Sequence, residues 1–310
     1  MKIVYLGFLG NCDRSIFKVR FEKDFEKDFE IGSMSYREAV AIISKLKGSS
    51  PRDSSMTLIT RNLSTGNDNP VYFVRKEQKI PDSSVEKVGE IRKVDLDFLG
   101  DGQGYLTDKI RLLRLIKNGL VTLPIQFVYR EDTEPVPSMG YDDGKSSIKA
   151  ICHIEDKEVE TVNNFISDNK LPFNDGALQL ALESYELSYY TINPGLSFIS
   201  SMVAIESLLN PANSEVTYRV SRNLAVLLGK DLLSSVKLFE KMKKLYSTRS
   251  SIAHGAKSEN IELEDLAAIR EFARLTVVTY KMTGLDKKII LDKLHSMGFR
   301  EVRPWKIPVY

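Results

Sequence analysis

The sequence predicts an α+β protein, a mixed α/β N-terminal domain over residues 1–170 followed by an all-α helical bundle over residues 171–310. Three observations carry this prediction. Before Lys170, short apolar runs that read as strands are interspersed with amphipathic helical stretches. From Gly176 to the C-terminus, apolar residues recur at three- and four-residue spacing with only brief interruptions. Between these regions lies Asn169-Lys170-Leu171-Pro172, polar and broken by a proline. A chain of 310 residues has room for two domains of ordinary size, and a hydrophobic fraction of 42% excludes a disordered polymer.

The first apolar run, Ile3 to Gly10, is short for the core of a signal peptide and runs directly into Asp13-Arg14. It lacks a small-x-small cleavage site and reads as a buried strand over residues 2–9. Phe17, Val19 and Phe21 alternate with charged residues and predict a second strand. Phe21, Phe25 and Phe29 then fall on a four-residue step, where strand and helix compete. Ser35 followed by Glu38 forms a capping-box pattern for a helix to about Leu46, and Gly48 to Pro51 ends it. Met56–Thr60 and Val71–Val74 read as strands joined by a polar loop.

Asp101-Gly102-Gln103-Gly104 reads as a turn, without the Lys-Ser/Thr of a phosphate loop. Residues 106–118 predict an amphipathic helix with Leu106, Ile110, Leu113 and Lys117 along one face. A strand follows near Ile125–Tyr129, then a long polar loop from Glu131 to Ser147 and a helix near Val159–Ser167. Helices are expected thereafter at about 176–190, 194–209, 215–228, 231–254, 262–283 and 286–297. Pro194 suits a first helical turn and Asp231 a cap or first-turn acid. Trp305, set among Arg300, Arg303 and Lys306, can stack on a base or cover a core edge.

Two charges in the bundle fall on apolar stripes. Leu238, Met242, Leu245 and Ile252 mark the core face of the 231–254 helix. Arg249 comes eleven residues after Leu238 and, at about 100° per residue, returns to roughly 20° from it. Glu206 is similarly flanked by Ile199, Met202, Val203 and Leu209. A buried guanidinium keeps its proton and must meet a carboxylate, a phosphate or water, so each charge is most simply explained by the other. His254, five residues beyond Arg249, would diverge from it by about 140° on a straight helix. Gly255, a usual helix-ending residue, would allow it to swing back.

The order and spacing of three segments resemble the Apea-like branch of the HEPN superfamily. They are Phe198 to Leu209, an apolar helix with one acid; Val216 to Gly229; and Lys243 to Gly255, which holds Arg249, four residues and then His254. The resemblance spans about 60 residues, and a looser one covers the helix and strand near residues 106–129. It implies an HEPN bundle and a metal-independent endoribonuclease using Arg249 and His254. Glu206, Tyr246 and Ser250 would be supporting residues, and the setting would be prokaryotic anti-phage or toxin-like defence. Ser250 follows the arginine where catalytic members often carry Asn, Asp or His. The alternative is a non-catalytic HEPN module that binds RNA or a protein partner. A third reading makes residues 1–170 a sensor for a phage-derived or other protein trigger.

RNA supplies its own nucleophile, the 2′-hydroxyl, so an imidazole that moves protons and a guanidinium that holds phosphoryl charge are a sufficient chemical kit. HEPN nucleases commonly pair two such motifs across a dimer, and a homodimer through the C-terminal bundle is the expected assembly. No cofactor or metal is expected. Cys12 and Cys152 are too few for a disulfide framework or a cysteine-rich zinc site, and His153, His254 and His295 show no ligand spacing. The cysteine usage fits a reducing, cytoplasmic setting, and no apolar run is long enough for a bilayer. A net charge of +2 announces no overall field for nucleic acid, which leaves only a local basic groove for RNA.

Overall fold

The computed structural model describes residues 2–21, 29–47, 70–79, 87–88, 91–130, 151–211, 214–254, 261–299 and 304–305. The expected strand at Met56–Thr60, the loop at Glu131–Ser147, Phe25 and Gly255 lie outside them. The architecture is α+β, and chain contacts divide it into two compact units at Lys170/Leu171.

The first unit is built on a four-stranded antiparallel sheet of order β2-β3-β1-β6, with β1 at Lys2–Gly10, β2 at Phe29–Met34, β3 at Val71–Lys79 and β6 at Thr122–Arg130. The short strands β4 (Lys87–Val88) and β5 (Ile91–Arg92) pair with each other. Strand β1 has a neighbour on each side, and Val4 to Leu6, Phe8 and Leu9 are all buried. This explains an apolar run that does not alternate. On one face Leu6, Phe8, Val71, Ile125 and Phe127 pack with Ala39, Ile43 and Leu46 of helix α1 (Tyr36–Lys47). The capping box of α1 is formed: Glu38 Oε2 accepts from the Ser35 backbone N–H at 2.8 Å, and the Glu38 N–H donates to Ser35 Oγ at 3.3 Å.

Two expectations are corrected here. The stretch holding Phe17 is a 3₁₀ turn, Arg14–Lys18, and not a strand. Asp13 caps it by accepting the Ser15 N–H at 2.8 Å, which curls the chain so that Ile16 is buried while Phe17 is exposed. Asp101 to Gly104 is not a turn, because helix α2 runs through it from Lys93 to Ile116. Each glycine costs about 1 kcal/mol relative to alanine inside a helix. The buried second half of α2, with Leu106, Ile110, Leu112, Leu113, Leu115 and Ile116, supplies enough packing to override that cost. Its buried cations are paired: Lys109 Nζ donates to the Ile166 carbonyl at 2.8 Å, and just past its end Lys117 Nζ meets Glu158 at 2.7 Å. Glu158 precedes helix α3 (Val159–Asp168).

The second unit is helical: α4 (Gly176–Tyr190), α5 (Pro194–Leu209), α6 (Val216–Leu228), α7 (Leu232–Ala253), α8 (Leu263–Thr283) and α9 (Lys287–Ser296). Side chains start four of them. Asp175, Asn193, Asp231 and Asp286 each accept first-turn N–H groups, and Pro194 occupies the first turn of α5. The end of α9 is held from a distance: Arg222 on α6 donates to the carbonyls of Leu294 (2.7 Å), His295 (3.2 Å) and Met297 (2.7 Å). Trp305 donates its indole N–H to the Leu227 carbonyl at 3.1 Å and so covers α6.

Gly229 joins α6 to α7 where Ser235 is fully buried against it. A Cβ there would stand 2.0 Å from Ser235 Oγ and 2.6 Å from the Ala225 carbonyl oxygen. Gly229→Ala should therefore lower stability by about 1–3 kcal/mol, as overpacking does. The measurement is a fall in urea midpoint at unchanged slope.

Candidate active site

Helix α7 carries Arg249 four residues from its end. Met242 and Leu245, fully buried, fix which face of α7 points inward, and Leu238 and Ile252 border it half-buried. Helix α5 brings Glu206 to the same place because Met202, Ile205, Leu208 and Leu209 are fully buried around it. Arg249 Nε stands 3.3 Å from Glu206 Oε1, and Nη2 donates to Oε2 at 3.5 Å. Tyr246 lies one turn before Arg249. Its hydroxyl donates to Glu206 Oε1 in a short hydrogen bond, and its ring sits 5.8 Å from the guanidinium carbon.

The carboxylate thus holds two groups from one helix, and the aromatic ring backs the cation. The Arg249 side chain is 35% exposed and that of Glu206 19%. Arginine has five N–H donors, so the pair of hydrogens on Nη1 is not spent on Glu206 and can meet a phosphate. Burial pushes the Tyr246 hydroxyl well above its ordinary pKa, and the hydrogen bond and negative charge of Glu206 push it further. Tyr246 therefore stays a donor across the physiological range.

His254 is the C-cap of α7 and is exposed. Its backbone N–H still donates to the Ser250 carbonyl at 3.1 Å, so the helical ladder persists up to it and the position lies about 140° round the helix from Arg249. The imidazole has no hydrogen-bond or ion-pair partner among the described residues. Ser250 is exposed as well. Glu206, Tyr246 and Arg249 are therefore brought together, whereas Ser250 and His254 line the exposed end of the same helix without joining them. No family model, curated protein or solved structure matches the chain.

A second polar cluster of the bundle is not anticipated by the sequence reading. Arg270 on α8 is buried, donates to the Ser188 carbonyl and Ser197 Oγ (2.7 Å), and lies 4.6 Å over the Tyr189 ring. One turn on, Arg274 is buried and bidentate to Glu271 at 2.8 and 2.6 Å. The signal was available: Arg270 follows Leu266 by four residues, on the apolar face of α8 as Arg249 is on that of α7. This cluster bonds α4, α5 and α8 to one another, with both guanidinium groups buried and only the Glu271 carboxylate partly exposed.

Tyr246→Phe should cost about 1 kcal/mol at neutral pH through the lost hydrogen bond. The folded-state pKa of Tyr246 is raised, so the contribution is complete below the unfolded value near 10 and is lost as pH rises above it. Urea titrations from pH 7 to 11 should show a shallower alkaline loss of stability in the variant. An unchanged alkaline slope would mean that the hydroxyl contributes nothing.

Proposed function

We propose that the helical unit is a metal-independent endoribonuclease of the HEPN type, acting in the cytoplasm of a prokaryotic cell in anti-phage or toxin-like defence. One observation carries the reading: Arg249 is fixed by Glu206 and Tyr246 yet one-third exposed, on the helix whose exposed cap is His254. A guanidinium held in this way is preorganised for phosphoryl oxygens. An exposed imidazole is within reach of a substrate and can serve as general base or acid.

The 2′-hydroxyl of RNA would attack the adjacent phosphorus while His254 takes its proton. The 5′-oxygen would leave with a proton from a second imidazole, giving a 2′,3′-cyclic phosphate and a 5′-hydroxyl. Arg249 would hold the charge that develops on the non-bridging oxygens. A single chain offers one His254, about 140° round the helix from its own Arg249, so the reading includes a homodimer through the helical unit. The motif of each protomer then completes that of its partner. The unit before Leu171 would take the phage-derived or protein trigger.

A binding module is the second reading, and a specific observation favours it. Glu206 already satisfies both Arg249 and Tyr246, as a purely structural clamp would. Cleavage decides between them. His254→Ala should lose RNA cleavage by at least a hundredfold, the scale of general acid–base catalysis, with an unchanged circular dichroism spectrum. Full cleavage by that variant would leave the binding module. Cleavage by the wild type should persist in excess EDTA and fail on 2′-O-methyl RNA, since the proposed nucleophile is the substrate's own hydroxyl. Adding excess His254→Ala subunits to wild type should depress activity beyond dilution, and strict proportionality would remove the dimer from the mechanism.

A further inference from the structure

The two cysteines of the chain are 140 positions apart in sequence and face each other in the first unit. Strand β1 breaks its register with β6 between Phe8 and Gly10, and Asn11 then turns the chain with φ 57°. Asparagine tolerates that left-handed conformation. The turn sets Cys12 against Cys152 in an isolated parallel bridge: the Cys152 N–H donates to the Asn11 carbonyl at 2.9 Å, and the Asp13 N–H donates to the Cys152 carbonyl at 3.4 Å.

Bridged neighbours of this kind have Cα atoms about 4.8 Å apart with side chains on the same face. That lies inside the roughly 4.4–6.8 Å range of disulfides. Both thiols are free, Cys12 half-buried and Cys152 buried. Gly119, with φ 142°, presses its backbone against Cys152, where a Cβ would come within 2.8 Å of the Cys152 Cα. Cys152 is thereby held in place.

We propose that Cys12 and Cys152 are an oxidation site that closes to an intramolecular disulfide, with a low-molecular-weight disulfide of the glutathione type as oxidant. Cys12, the more accessible, gives up its proton, and its sulfur attacks one sulfur of the oxidant. A Cys12–glutathione bond forms and one glutathione thiolate leaves. Cys152 then loses its proton and attacks the Cys12 sulfur, expelling the second glutathione thiolate. Two protein thiols are oxidised, one small disulfide is reduced to two thiols, and the two protons pass to the leaving thiolates.

The closed bond ties the end of β1 to the segment that leads into α3. Burial pushes both thiols above their ordinary pKa; the Asp13 carboxylate adds to this at both, Cys152 does so at Cys12, and Glu158 does so at Cys152 against the opposing charge of Lys117. The exchange is accordingly slow at neutral pH and quickens as pH rises.

The test uses the full chain, folded, with oxidised glutathione at mildly alkaline pH, followed by acid quenching, denaturation and thiol titration. Titratable thiols should fall from two to none, with intact mass showing the loss of two hydrogens and no adduct. Dithiothreitol should restore both thiols, and the oxidised form should melt at a higher temperature. Cys152→Ser should instead retain one glutathione on Cys12. A wild type that keeps stable glutathione adducts, links to a second chain or retains two free thiols after prolonged incubation would overturn the proposal.

Discussion

The helical unit depends on one electrostatic constraint: two opposite charges sit on inward-facing stripes of different helices. Removing either from water alone costs several kcal/mol, so the register of α5 against α7 must bring Glu206 and Arg249 together. A shift of either helix by one residue would rotate its charge by about 100° and leave both unpaired. The ion pair therefore specifies alignment where apolar packing alone would accept several sliding arrangements. Tyr246 extends the constraint, because its hydroxyl and Arg249 share the same carboxylate from successive turns of α7.

The first unit uses the same rule differently. Two of its buried charges, Lys109 and Lys117, are satisfied by a carbonyl and by Glu158, both next to or within α3. The long helix α2 is thus tied to α3 by polar contacts as well as by packing. In the helical unit Arg270 and Arg274 show the third variant, a guanidinium met by a carbonyl, a hydroxyl, an aromatic face or a carboxylate on its own helix. Each solution leaves its partner groups in fixed positions, but unlike Lys109, Lys117, Arg270 and Arg274, Arg249 retains an exposed side.

How much of this was legible in the sequence follows from the range of each signal. The six helices of the second unit could be read because apolar spacing, Pro194 and the capping residue Asp231 act within a few residues. The Ser35–Glu38 box was readable for the same reason. The start of α2 was not, since local glycine penalties at Gly102 and Gly104 were outweighed by packing that includes the buried Leu106 and Ile110. The 3₁₀ turn at Arg14–Lys18 was hidden by an alternation that an Asp13 cap overrides. The charges at Glu206 and Arg249 announced their partner because both stripes were visible. The direction of His254 could not be read, since it depends on whether the helix holds to its last residue. Nothing local links Cys12 to Cys152, whose contact comes from sheet topology.

Arg222 carries a consequence for how the unit comes apart. The last carbonyls of a helix ordinarily exchange partners with water, and terminal helices fray from that end. Here three of them are held by one guanidinium on α6. The end of α9 therefore cannot loosen without uncovering a charge lodged on a helix whose Val220, Leu224 and Leu227 are fully buried. The C-terminal end of this helix is thereby tied to the middle of the bundle, the part of a terminal helix that ordinarily answers only to water.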